Sequence, residues 1–119
     1  MLTFIDFNDT NIVGIKINGK ITEAEFDQVV RRFEEKMARY EKVRLYAEME
    51  NFGGMELKAF FKDLKFGLSN FKRFEREAVV TDKNWAQQFV NISDSLVPTV
   101  EVKSFTNEER AKAKTWIQA

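Results

Sequence analysis

Glu48 and Glu50 stand two residues apart at the end of an alternating segment, Val43-Arg44-Leu45-Tyr46-Ala47-Glu48-Met49-Glu50. In an extended strand both carboxylates project to one face, and a pair of carboxylates in unlike environments is the minimum equipment for acid–base catalysis. Asp6, in the first strand, is a third acid that folding can bring near them. The pair stands without helpers. The chain has no histidine and no cysteine, so the commonest general base, the commonest metal ligand and the thiolate nucleophile are all missing. Lys16 and Lys20 do not complete a mechanism. The plainer reading of Glu48 and Glu50 is a solvated strand end, and no catalytic residue is assigned.

The residues present are better suited to holding a molecule than to transforming it. Phenylalanine occurs 12 times, and its ring carries a large apolar area with no polar atom to satisfy. Phe26, Phe33, Phe60, Phe61, Phe71, Phe74 and Phe89 either fill a core or line an apolar cavity between the first two helices and the sheet. Lys58, Lys62, Lys65, Lys72 and Arg73 gather on one flank of a helical segment. Met55 and Phe66 lie opposite its apolar stripe, where solvent is expected. Such a face is either a solvated basic surface or a seat for a second copy, an acidic partner or an anionic membrane surface. Asn51-Phe52-Gly53-Gly54 before this helix can present amides to an anion. It lacks the lysine and hydroxyl of a phosphate-binding loop and reads first as a turn that uses glycine's conformational freedom.

These groups must be positioned by elements that the pattern makes readable. Residues 2–7 and 12–20 alternate as strands and are joined by the turn cluster Asn8-Asp9-Thr10-Asn11, which predicts an antiparallel pair. Thr22-Glu23-Ala24-Glu25 is a capping box. It opens a helix to about Tyr40 with Phe26, Val29, Val30, Phe33 and Met37 on one face. A strand over 43–50 follows. A helix over 55–73 carries Leu57, Phe60, Phe61, Leu64, Leu68 and Phe71. A short strand covers 78–81, and a helix over 84–96 aligns Trp85, Phe89, Ile92 and Leu96. After Pro98 comes a strand over 99–105. Thr106-Asn107-Glu108-Glu109 caps a last helix with Trp116 and Ile117. The order β-β-α-β-α-β-α-β-α predicts an α/β fold: a single-layer, mixed, mostly parallel five-stranded sheet with helices on both faces and the first strand as an antiparallel edge.

Length and charge set the outer bounds. The 119 residues suit one domain over 1–119 that buries roughly 65% of its unfolded surface. Nineteen basic and nineteen acidic residues cancel, whereas a nucleic-acid binder carries a basic footprint. The absence of cysteine fits a reducing compartment. The N-terminus has no basic and apolar leader, and no stretch is long enough to span a membrane. The expected location is the cytoplasm.

With the elements in order, the chain resembles the SpoIIAA-like, STAS-type family over nearly its whole length, and most nearly the family's stand-alone bacterial members. The resemblance rests on Ile17-Asn18-Gly19-Lys20-Ile21-Thr22 leading into the first helix and on the strand Leu45-Tyr46-Ala47-Glu48-Met49-Glu50. It rests also on Ala78-Val79-Val80-Thr81-Asp82-Lys83-Asn84-Trp85, and on Phe105 followed by an alanine-rich helix to Trp116. It implies a fold similar to CRAL-TRIO lipid-binding domains, and a role in protein contacts or in holding apolar ligands. Anti-sigma-factor antagonists of this family carry a phosphorylated serine after the third strand. Here no serine or threonine occurs between Thr22 and Ser69, so that switch is chemically absent.

The expectation is a non-enzymatic binding module without a cofactor or a metal. Its ligand is an apolar small molecule or lipid held between helix 55–73 and the sheet, with Phe60, Phe61 and Phe71 as walls. Lys58 and Lys65 at the mouth would hold a carboxylate or phosphate head. The alternative is a homodimeric interaction or regulatory domain joined through Met55 and Phe66. Contact with nucleic acid is not expected, and peripheral contact with a membrane is compatible with the basic helix.

Overall fold

The structure, a computed structural model, describes residues 1–51, 59–60, 62–64, 71–81 and 100–119, with the Phe71 side chain left out. Strand β1 (Leu2–Ile5) runs antiparallel to β2 (Ile12–Asn18), with Leu2 opposite Ile17 and Ile5 opposite Gly14. The turn between them places Asn8 in the left-handed region, φ 57°, where Asp6 Oδ1 accepts from its amide at 2.7 Å. Asparagine tolerates that conformation at low cost. Gly14 lets the edge strand and Phe7 approach closely: a Cβ there would stand 2.5 Å from the Ile5 carbonyl oxygen and 2.7 Å from the Phe7 ring.

Helix α1 (Glu23–Arg39) begins as the capping box predicts. Thr22 Oγ1 accepts from the Glu25 amide at 3.1 Å, and Glu25 Oε1 accepts from the Thr22 amide at 2.9 Å. Val29 and Phe33 are its fully buried residues, four apart on one face. Its C-terminal end is held by Arg73, whose guanidinium donates to the carbonyls of Met37 (2.6 Å), Tyr40 and Glu41 (2.7 Å). A cation at this end satisfies orphan carbonyls and complements the helix dipole. Arg73 is therefore a cap on the preceding helix and not part of an outward basic face.

Strand β3 (Val43–Glu50) lies parallel to β2, from Ile12 opposite Arg44 to Asn18 opposite Glu50. Residues 59, 60 and 62–64 are helical, with Phe60 and Leu64 buried and Ala59, Lys62 and Asp63 exposed. That matches the expected stripe for this part of segment 55–73. The segment does not continue as α-helix to 73: Phe71–Arg73 forms a 3-10 turn, and β4 occupies Phe74–Val80. The expected strand over 78–81 therefore starts four residues earlier. Glu75, Arg76 and Glu77 hide it, because a run of charges does not read as a central strand. Paired charges solve the problem: Arg44 Nε donates to Glu75 Oε2 at 2.7 Å, and Arg76 Nε lies 3.4 Å from Glu101 Oε2. Glu77, only 1% exposed, sits in register between Leu45 and Val102.

Strand β5 (Glu101–Phe105) is parallel to β4, and the sheet order is β1-β2-β3-β4-β5. The sheet is thus five-stranded and mostly parallel with β1 as its antiparallel edge, as the sequence predicts. Strand ends are shorter than expected, at Ile5, Asn18 and Glu101. After a 3-10 turn, Asn107–Glu109, helix α2 (Arg110–Gln118) closes the chain.

Two apolar clusters flank the sheet. Val13, Ile15, Ile17, Leu45, Ala47 and Val79 pack with Val29 and Phe33 of α1 and with Phe60 and Leu64. On the other face Ile12, Tyr46, Ala78 and Val80 pack with Phe7 and with Ala113 and Ile117 of α2. Trp116 is only partly buried. It lies against Phe105, with Arg76 5.0 Å and Lys103 5.6 Å from its ring centre. Helix 84–96, with Trp85 and Phe89, lies outside the described residues.

Candidate functional site

Strand alternation sends Glu48 and Glu50 to one face, as expected, and that face is the α2 side of the sheet, but Glu48 is not a solvated strand end: it is 6% exposed. Its Oε2 accepts from the Tyr46 hydroxyl at 2.6 Å. Its Oε1 faces Arg110 Nε, on the first turn of α2, at 3.7 Å. Arg110 Nη2 reaches Glu50 Oε1 at 3.3 Å, and Lys16 Nζ lies 3.6 Å from the same oxygen. Burial and the neighbouring Glu48 carboxylate raise the Tyr46 phenol well above its ordinary range, so it remains a neutral donor. Asp6 takes no part: β1 is antiparallel, which carries Asp6 to the opposite end of the sheet. Glu48, Glu50 and Lys16 do converge, but on Arg110. Neither of the two described clefts is lined by any of them. The cluster has the chemistry of an ion network that ties α2 to the end of β3.

The second arrangement is concave. Beyond the carboxyl ends of β2 and β3, the connection Lys20-Ile21-Thr22, the first turns of α1 and helical residues Ala59, Phe60 and Asp63 line a cleft of about 610 Å³. Open α/β sheets favour this end for ligands, and the volume falls in the range of small-molecule sites. Its apolar surface comes from Ile21, Phe26 and Phe60, and the two rings meet edge to face with centres 5.8 Å apart. Glu23, Asp27 and Asp63, with Lys20 and Thr22, supply the polar lining. The capping box sets this geometry: it fixes where α1 starts and therefore which residues of its first turns face Ala59, Phe60 and Asp63.

The expected site residues fall out unevenly. Phe60 lines the cleft. Phe61, Lys58 and Lys65, and the interface residues Met55 and Phe66, lie outside the described residues, as does the Phe71 side chain. The phenylalanines that pattern alone could not sort between core and cavity divide in space. Phe33 and Phe74 are buried against each other, ring centres 4.9 Å apart, and fill the core. Phe26, partly buried, borders the cleft, and Phe60, 4% exposed, belongs to the core cluster and also touches the cleft.

Sequence reasoning missed Ile21, Glu23, Asp27 and Asp63. A signal existed for two of them: Glu23 and Asp27 are four apart, so they share a helix face beside Phe26. Nothing local predicted Asp63 opposite them. Among the described residues no group of acidic side chains is gathered closely enough to hold a metal ion. No helix among them is long and apolar enough to cross a membrane.

Set beside known proteins, a family model described as SpoIIAA-like matches residues 12–118. No curated protein and no solved structure matches the chain.

Proposed function

The chain belongs to the SpoIIAA-like family, and from that premise we propose that it is a non-enzymatic, cytoplasmic binding module that holds a small, largely apolar ligand in the cleft between the start of α1 and residues 59, 60 and 63. The single observation behind this reading is the cleft itself: about 610 Å³ at the carboxyl end of the parallel strands, walled by Ile21, Phe26 and Phe60. An apolar chain entering it gains about 0.8 kcal/mol for each methylene buried. The absence of imidazole and thiol from the whole sequence argues in the same direction, as does the internal pairing of Glu48 and Glu50 with Arg110.

The test is direct. Protein purified gently and extracted with organic solvent should release a small apolar compound detectable by mass spectrometry. Adding that compound back should raise the melting temperature of stripped protein. The Phe26→Ala variant should lose that rise while remaining folded. A blank extraction together with no stabilisation by apolar compounds removes the reading.

A further inference from the structure

We infer that the occupant of this cleft carries a positive charge: an amine or quaternary ammonium group on an apolar chain or ring. The inference rests on the binding reading above and adds the class of its ligand. Three independent features of the lining favour it.

The first is charge. Among the described lining residues, Glu23, Asp27 and Asp63 oppose the single cation Lys20. Glu23 and Asp27 come from α1 and Asp63 from the facing segment, so the carboxylates stand on both walls. They are not gathered as metal ligands would be. A spread of negative charge around an apolar opening attracts an organic cation without chelating it.

The second is the aromatic surface. Phe26, only partly buried, borders the cavity beside the nearly covered ring of Phe60, and the face of a benzene ring carries negative quadrupolar charge that draws alkylammonium groups.

The third is what an anion would meet. A helix start can bind phosphate or carboxylate through free amides, but here the Glu25 amide is already bonded to Thr22 Oγ1. The first turn also carries Glu23 and Glu25, which repel an anionic head. The anionic head expected from Lys58 and Lys65 depends on residues outside the described set.

Decyltrimethylammonium, decanoate and 1-decanol share a chain and differ in the charge of the head. Each is titrated into the full chain below its micelle concentration at low salt, followed by calorimetry and by backbone amide shifts. The expected result is that decyltrimethylammonium binds about tenfold or more tighter than decanoate. Shifts should centre on residues 20–27 and on residues 59, 60 and 63, and the preference should shrink in about 0.5 M salt. The double variant Asp27→Asn, Asp63→Asn should lose several-fold in affinity for the cation and keep its affinity for 1-decanol. If decanoate or decanol binds as tightly as the cation, the charge inference is overturned while the cleft reading survives. Undiminished cation binding by the double variant overturns it as well. Failure of all three probes to bind overturns both.

Discussion

Glu25 Oε2 accepts a hydrogen bond from the Leu2 amide at 2.7 Å. The same carboxylate completes the capping box of α1 through its other oxygen, so one side chain joins a helix start to the edge strand of the sheet. Met1 and Asn18 exchange main-chain hydrogen bonds. The Leu2 amide therefore points away from β2 toward the open edge. An unpaired edge amide is a template for another strand, and Glu25 occupies this one.

The two backbone donors hold the Glu25 carboxyl below its ordinary value near 4.5. Its stabilising contribution is present above that value and is lost as pH falls through the lower folded-state pKa. Glu75 is shifted the same way, chiefly by its hydrogen bond from Arg44. The melting temperature should fall on acidification below about pH 4.5. Glu25→Gln should melt lower at neutral pH and show a shallower acid slope, read from melting curves across a pH series.

Tyr46 gives the opposite limb. Its phenol is raised above the ordinary value of 10.0 by burial first and by Glu48 second, so above pH 10 the unfolded chain loses the proton more readily than the folded one. Stability should drop at alkaline pH. Tyr46→Phe should remove most of that drop and cost about 1–2 kcal/mol at neutral pH, since Glu48 Oε2 loses its donor. Chemical denaturation at pH 7 and pH 10.5 distinguishes the two effects.

Arg110 and Lys16 both pair with Glu50, but only Arg110 also faces the buried Glu48. Arg110→Met should destabilise by about 1–3 kcal/mol, because it leaves a buried carboxylate without its cation. Lys16→Met, which removes a surface pair, should change stability by less than about 1 kcal/mol. Equal effects in urea titrations would contradict this network.

Gly14 has no room for a side chain, and the atom nearest a new Cβ is the Ile5 carbonyl oxygen, which cannot rotate away. Gly14→Ala should destabilise by about 1–3 kcal/mol and raise hydrogen exchange at the amides of β1 selectively.

Phe33 and Phe26 separate core from cleft. Phe33 is fully buried against Phe74, and Phe33→Ala should cost about 3–5 kcal/mol. Phe26 is only partly buried, at the cleft, so Phe26→Ala should cost less and act mainly on ligand binding. Denaturation midpoints with and without ligand give both quantities.

The fold was legible wherever a local rule had one outcome. Thr22 and Glu25 announced the start of α1. The alternation of Val13, Ile15 and Ile17 announced β2, and that of Val43, Leu45, Ala47 and Met49 announced β3. Legibility failed where distant partners rewrote the local chemistry. Glu75, Arg76 and Glu77 belong to a strand only because Arg44 and Glu101 stand beside them. Arg73 looked like one cation of a basic face and is a cap on the preceding helix. Glu48 looked solvated and is buried because Tyr46, Arg110 and helix α2 cover it.

By itself the sequence determined the α/β class, the five-stranded sheet with its antiparallel edge, and a chemistry without imidazole or thiol. All of these follow from residue type and short-range periodicity. Only the tertiary structure decided which phenylalanines fill the core and which border a cleft, and which charges surround that cleft. Those properties depend on what lies across a gap from a side chain, and residues 23, 27 and 63 line one cleft only because α1 and the helical residues around Phe60 pack on the same face of one sheet.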